Sequence, residues 1–314
     1  MKYPACNFSL KNVHKISSLI SRRQRDGDPF SLTRLGDGEG LLLSISDQST
    51  EADFKYLTKH FGANGVGLDY LLDLKNRLIQ SIKGADIIGV RDDIVNVRFE
   101  PGNFSLTHDE FLKSFRNCFR LRKVEKNLDF HGSRRIAFLH QNLSNLDFND
   151  DIQFCSAWFH YDYHNSGEIF KLLRQQKKIG LISCRHRLPG LLEKLFNISV
   201  RFHEIPGMFR DIPLENNVPD YIEQLESVLS QKQLVEFPGM LYLVGGGLYG
   251  KLYCQLIKSQ GGIALDLGSL FDAWLGIPSR PTVYRAMFDA DSGEKDVPSE
   301  LLLTIENIEY LATM

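Results

Sequence analysis

The chain has 314 residues, 43% of them hydrophobic and 24% charged, with a formal net charge of −2. That length buries a sizeable core in one large domain or two, and the near-neutral balance excludes a molecule built to coat nucleic acid. The five cysteines, Cys6, Cys118, Cys155, Cys184 and Cys254, are odd in number and form no C-x-x-C pair, which argues against a disulfide framework or structural zinc and for a reducing compartment.

Met1 to Leu10 carry no charged-then-apolar signal pattern, and no apolar run approaches ~18 residues. The expectation is a cytoplasmic protein that meets a membrane only from its surface. Residues 11–26 read as a helix with Val13, Ile16, Leu19 and Ile20 in one stripe. Pro29 to Thr33 reads as a strand, and the three glycines at 36, 38 and 40 force a turn after it. Helices follow at 51–61 and 67–83, then a buried strand at 85–90 that ends in Arg91-Asp92-Asp93. A helix at 108–126 carries Phe111, Phe115 and Phe119 at every fourth place and Lys113, Arg116, Arg120 and Lys123 on another side. Its bland reading is a core-packing helix with a solvated basic face. Its sharper reading is a peripheral contact with the inner membrane face.

From residue 134 strands and helices alternate. Strands are expected at 135–139, 152–155, 179–184, 198–204, 240–244 and 262–267, and helices at 165–176, 188–196, 218–233, 248–260 and 299–312. Residues 289–300 read as a polar excursion. The pattern predicts an α/β, Rossmann-like fold with a mostly parallel sheet and helices on both faces, in one domain spanning 1–314. Residues 1–133 hold the acidic turn, and residues 134–314 hold the βα repeats.

Ligands of open α/β sheets sit beyond the carboxyl ends of the strands, so the residues after each strand are the candidates. In Arg34-Leu-Gly36-Asp37-Gly38-Glu39-Gly40, an extended turn would put Asp37 and Glu39 on one side, as two oxygen ligands for Mg²⁺ or Mn²⁺. The competing reading makes Asp37 a helix cap, although Gly40 three residues on offers no capping box. Cys184-Arg185-His186-Arg187 follows a strand with two guanidinium groups suited to a diphosphate, or forms a solvated basic turn. Gly245-Gly246-Gly247-Leu248-Tyr249-Gly250 fits G-x-G-x-x-G, with Asp266 placed 21 residues after Gly245. That spacing matches a dinucleotide fingerprint, and the same loop equally suits the pyrophosphate of a nucleotide-sugar. His160 and His164 share a helix face, but no Glu follows the first and no third zinc ligand is near in sequence.

Two stretches carry a family resemblance. Arg34-x-Gly36-Asp37-Gly38-Glu39 after a short strand resembles the signature of the GT-D-type glycosyltransferases, and Gly262 to Gly276, with Asp266, Gly268 and Asp272, is similar to the late strand and Asp-x-Gly turn of the same family. The resemblance implies a DxE element holding a metal on a UDP- or GDP-linked sugar, and transfer of that sugar to a glycan or lipid-linked glycan acceptor at the cell surface. It implies donor contacts from Arg34, Gly36 and Asp266, with Asp37 and Glu39 on the metal, and the strand-end reading adds Arg185, Arg187, Gly245, Gly246 and Gly247 as donor contacts. A general base, if the reaction inverts, would be Asp272 or His186. The rival expectations are an NAD(P)-dependent oxidoreductase built on Gly245, Gly247, Gly250 and Asp266, and a non-catalytic scaffold of a polysaccharide pathway.

Overall fold

The computed structural model describes residues 11–47, 49–61, 67–91, 130–207, 218–280, 284 and 296–313. The expected helix at 108–126 and most of the polar excursion fall outside these residues. In chain order the elements are α1 (Lys11–Asp26), β1 (Phe30–Leu35), α2 (Asp37–Ser44), α3 (Glu51–Phe61), α4 (Leu68–Lys83), β2 (Ile87–Val90) and α5 (Phe130–Ser144). They continue with β3 (Gln153–Ser156), α6 (Phe159–Asn165), α7 (Glu168–Arg174), β4 (Lys178–Ser183), α8 (Leu188–Phe196), β5 (Ser199–Glu204) and α9 (Val218–Leu229). The last are β6 (Leu241–Gly245), α10 (Gly250–Ser259), β7 (Ile263–Asp266), α11 (Leu270–Trp274), a 3₁₀ turn at Ser299–Leu301 and α12 (Ile305–Thr313).

The seven strands form one parallel sheet in the order β3-β2-β1-β7-β6-β4-β5. Alternate strand residues feed two separate cores, as the period of two requires. Ile88, Val90, Tyr242 and Val244 pack on one face under α2, α3, α4, α5, α9 and α10. Phe30, Leu32, Leu241 and Leu243 pack on the other under α1, α6, α7, α8, α11 and α12. Strands buried on both faces are near-continuous apolar runs, which is how β2, β6 and β7 read in the sequence.

Three expected elements change, and the simplest is the helix expected at 299–312, which is split into the 3₁₀ turn and α12 by an extended Leu302. The run Arg135 to Leu139 belongs to α5, where Ile136, Leu139 and Leu143 are buried at helical spacing. Five apolar-rich residues fit either period, and the helix wins because the segment continues to Ser144. The single helix expected at 165–176 is broken by Gly167 at φ 69°, and a Cβ there would lie 2.3 Å from the Leu311 carbonyl oxygen. Glycine makes the bend possible and lets α12 approach.

Because all strands run the same way, Leu35, Val90, Ser156, Asp266, Gly245 and Ser183 end at one edge of the sheet. The segment after β1 turns to one face as α2 and the segment after β7 turns to the other as α11. Such a divergence between two central strands is the usual place for a ligand in an open α/β sheet.

Candidate active site

The acidic turn is the start of a helix. Gly36 takes an extended backbone at the cap of α2, so Asp37 and Glu39 are its first and third residues. At about 100° per residue their side chains diverge by about 200°, which replaces the shared direction expected of an extended turn. The Glu39 Oε2 accepts the Gly36 N–H at 2.7 Å, one half of a capping box. The box exists because the cap lies one residue before Asp37. Gly40 then lets α2 meet α5 backbone to backbone, since a Cβ there would sit 2.0 Å from the Arg135 carbonyl oxygen.

That approach delivers Arg135 to Asp37. Asp37 Oδ2 accepts a hydrogen bond from the Tyr56 hydroxyl at 2.7 Å and lies 3.6 Å from Arg135 Nη2, while Oδ1 is 3.8 Å from Arg91 Nη1. The Arg135 guanidinium lies over the Tyr56 ring at 3.7 Å, and that of Arg91 over the Trp158 ring at 4.9 Å. His140 of α5 hydrogen-bonds the Arg91 carbonyl at 2.8 Å and fixes the end of β2. Burial works against the charge on Asp37, but Arg91, the Tyr56 hydroxyl, Arg135 and Arg280 together hold its carboxyl below the ordinary aspartate value. Its side chain keeps 33% of its surface open. Tyr56 is pushed far above the usual phenol value, first by burial and then by Asp37, so it serves as a donor.

Glu39 turns the other way, into a closed cluster. Lys251 Nζ, in the first turn of α10, is 2.7 Å from Glu39 Oε1, 3.2 Å from Asp266 Oδ2 and 2.9 Å from the Gly247 carbonyl. These three oxygens match its three N–H bonds. The side chains of Lys251, Glu39 and Asp266 are 6%, 8% and 2% exposed. Burial pulls the lysine pKa down, but Asp266 and Glu39 outweigh it and hold the ammonium above its ordinary value.

Arg34 closes this cluster from the β1 side. Its Nε donates to the Asp266 carbonyl at 2.8 Å, its Nη1 donates to the Ala157 carbonyl at 2.9 Å and to His160 Nδ1 at 2.6 Å, and its Nη2 lies 3.6 Å from Asp266 Oδ1. Its backbone N–H donates to Asp266 Oδ2 at 3.2 Å. Arg34 thus braces the ends of β1, β3 and β7 against one another. Burial, then the Arg34 charge, push His160 well below the usual imidazole value, so it stays neutral and accepts from the guanidinium. Gly268 at φ 47° completes the brace, because a Cβ there would be 2.1 Å from Arg34 Nη2.

The other expected residues fall elsewhere. Arg185 Nε and Nη2 both contact Asp272 Oδ1 at 2.6 Å, which links the end of β4 to α11. His186 is 68% exposed, 3.5 Å from Glu204, and Arg187 is exposed beside it. They stand three strands from β1, roughly 14 Å across the sheet. Gly245 and Gly246 leave room for protein rings, since a Cβ would meet Phe271 at 2.6 Å and Tyr253 at 2.8 Å. Gly247, at φ 54°, has open space where a Cβ would point. His164 is buried between the Trp274 indole N–H, 3.0 Å from Nδ1, and the Glu300 carbonyl, 2.8 Å from Nε2.

Sequence reasoning missed Tyr56, Arg135, Lys251 and Arg280, whereas Trp158, with Phe159, Tyr161 and Tyr163, reads from the sequence as either a sugar-stacking wall or plain core. Lys251 alone left a local signal. A lysine in the first turn of a helix sits against the macrodipole and calls for buried carboxylates to offset it.

Two consequences follow for bound groups. Asp266 is enclosed by Arg34 and Lys251, so it is not available to a ribose hydroxyl, and the dinucleotide fingerprint lacks its acidic member. The Asp37 and Glu39 pair does not fit a two-carboxylate cation site either. Asp37 faces guanidinium groups, and Glu39 is held by Lys251 and the Gly36 N–H. Among the described residues no group of three or more His, Cys, Asp or Glu side chains could hold a metal ion.

Residues 11–127 match a family model described as a GT-D fold-like domain. The matched segment contains β1, the acidic turn and β2, and stops short of Lys251 and Asp266. The resemblance of the chain to the GT-D fold family therefore rests on a match together with an all-parallel α/β sheet. No curated protein and no solved structure matches the chain.

Proposed function

We propose that the protein is a glycosyltransferase that takes a sugar from a nucleoside-diphosphate donor and places it on a hydroxyl of a cell-surface glycan acceptor. The observation that carries this reading is the pair of arginines, Arg91 and Arg135, on Asp37 beside the carboxyl ends of β1 and β2, where the charge of Arg280 also acts. Guanidinium forks match phosphate oxygens two at a time, and fixed positive charge stabilises the charge that develops on a departing diphosphate. The Trp158 ring, already under Arg91, offers a flat face to a base or sugar ring.

In the reaction the acceptor hydroxyl oxygen forms a bond to the anomeric carbon as the bond from that carbon to the diphosphate breaks. The bonding pair leaves with the nucleoside diphosphate, and the hydroxyl proton passes to a base. Asp272 is the base of this reading, because both contacts from Arg185 fall on Oδ1 and its side chain is only 16% exposed. His186, largely exposed on the far flank, is the lesser candidate. Asp37 orients the arginines and accepts hydrogen bonds from sugar hydroxyls. No step requires a divalent ion. No helix among the described residues is long and apolar enough to cross a membrane. An acceptor that is itself lipid-linked would bring the protein to the inner membrane face as a peripheral visitor.

The test is calorimetric titration of UDP, GDP and NAD into wild type and Arg135→Met. UDP or GDP binding that the variant weakens by ten- to a hundredfold, about what a charged hydrogen-bonding pair contributes, supports the reading. NAD binding with no response to either diphosphate would overturn it.

A further inference from the structure

We propose that the Lys251 ammonium is a resident cation that takes the place of a divalent ion beside the acidic turn, so that the protein binds its nucleoside diphosphate without added metal. The site has the make-up of a small cation seat, with two carboxylate oxygens and one backbone carbonyl oxygen converging on a single positive centre at 2.7, 3.2 and 2.9 Å. The three ligands come from three places in the chain, the first turn of α2, the end of β7 and the loop before α10. The centre that joins them is tethered to the protein by the side chain of Lys251.

Two further observations make the seat permanent. It is closed on every side named above, with its three side chains less than one-tenth exposed. Its charges also balance without a metal, because Arg34 and Lys251 together offset Glu39 and Asp266. A divalent ion entering the seat would have to expel an ammonium that has all three of its N–H bonds satisfied, and would leave a buried lysine without partners. The sequence separates the two carboxylates of the turn by function. Glu39 belongs to the seat and Asp37 to the partly exposed site, where guanidinium groups supply the positive charge instead.

This rests on the nucleoside-diphosphate reading only for its ligand, and the experiment separates the two. Mn²⁺ binding is followed by the loss of the free-ion signal in electron paramagnetic resonance and by the melting temperature, in wild type, Lys251→Met and Glu39→Gln. UDP and GDP affinities are measured in EDTA and in excess Mn²⁺. The expected result is that wild type takes up no Mn²⁺ and that its affinity for the diphosphate differs by no more than about twofold between the two conditions. Lys251→Met, which keeps the bulk and removes the charge, should gain Mn²⁺ binding, and its melting temperature should rise with ion concentration by mass action. Uptake of Mn²⁺ by wild type that Glu39→Gln abolishes would overturn the proposal. So would a folded Lys251→Met protein that ignores Mn²⁺, since the place would then be no cation seat. If Lys251→Met does not fold, wild type and Glu39→Gln decide the matter alone. Failure of both diphosphates to bind in either condition would sink the transferase reading while leaving the Mn²⁺ comparison intact.

Discussion

The partly exposed surroundings of Asp37 and the sealed cluster around Glu39 begin within one helical turn of each other and differ in character. Around Asp37 the carboxylate keeps a third of its surface and Arg91 about a quarter, Arg135 is nearly buried at 11%, and the arginines stack on Tyr56 and Trp158. In the cluster both Glu39 oxygens and Asp266 Oδ2 face N–H groups at 3.2 Å or closer, Asp266 Oδ1 pairs with Arg34 at 3.6 Å, and almost nothing reaches water. The partly exposed charges of Asp37 and Arg91 contribute little to stability and can be turned toward a ligand. A charge in the sealed cluster is costly to unpair and belongs to the architecture. The same residue type, two positions apart, therefore serves recognition in one case and fold in the other.

Mutations should separate the two regions by the property they disturb. The largest effect is expected from Asp266→Ala, which strands Lys251 and Arg34 in the interior. Removing one partner of a buried charge pair costs about 3–5 kcal/mol, read as a drop in the urea midpoint. Next comes Gly40→Ala, which pushes α2 off α5 at the Arg135 carbonyl. A cost of about 2 kcal/mol is expected from overpacking, and a crystal structure of the variant should find Arg135 displaced from Asp37. If stability falls while diphosphate affinity holds, the helix contact does not position the site.

A pH series gives an effect that is modest per step and accumulates over the range, and it concerns two buried imidazoles, His160 against Arg34 and His164 against Trp274. Burial lowers the His164 pKa to about 4, and His160 is also held well below its ordinary value. The unfolded chain protonates both near pH 6.5. Between these values the unfolded state binds more protons, so stability is lost as pH falls from about 6.5 toward 4, by roughly 1.4 kcal/mol per unit for each buried ring. Urea titrations at steps across that range would measure the slope, and a flat profile would mean that the rings open to solvent before they charge. The smallest effect is expected from Asp37→Asn. Its stability change should stay within about 1 kcal/mol, as for a partly solvated pair. Its affinity for free UDP or GDP, which lack the sugar that Asp37 would contact, should rise a few fold, because one repelling charge is gone while Tyr56 and Trp158 still hold the arginines by stacking. Weaker binding would instead make Asp37 a direct or metal-borne contact.

The layered α/β plan was legible because buried parallel strands leave apolar runs of the right length, and helices 11–26, 51–61 and 188–196 carry clear stripes bounded by polar ends. The site was legible as a place rather than as an arrangement. Arg34, Asp37, Glu39 and Asp266 do gather at the carboxyl ends of β1 and β7. Which way each points could not be read, because helix or extended backbone at Asp37 turns on a cap supplied by Gly36 and Glu39 together. Arg135 was hidden by a short apolar run that suits either period. Lys251 was hidden because its two partners lie 212 and 15 residues away along the chain (251 − 39 and 266 − 251). Phe111, Phe115 and Phe119, and the membrane contact built on them, lie outside the described residues.

The pairing of β1 with β7 also sets an order of events on the ribosome. Phe30, Ser31 and Leu32 align with Ile263, Ala264 and Leu265, and the contacts that seal Arg34 to Asp266 span 232 residues. At ordinary synthesis rates roughly ten to fifty seconds separate the emergence of the two strands. Through that interval the apolar edge of β1 waits without its partner and invites pairing with another nascent chain. The sheet closes at its centre last, and with the slow, high-separation contacts that parallel topologies carry. A protein with this connectivity should therefore depend on chaperones in the first minute of its life, however stable it becomes afterwards.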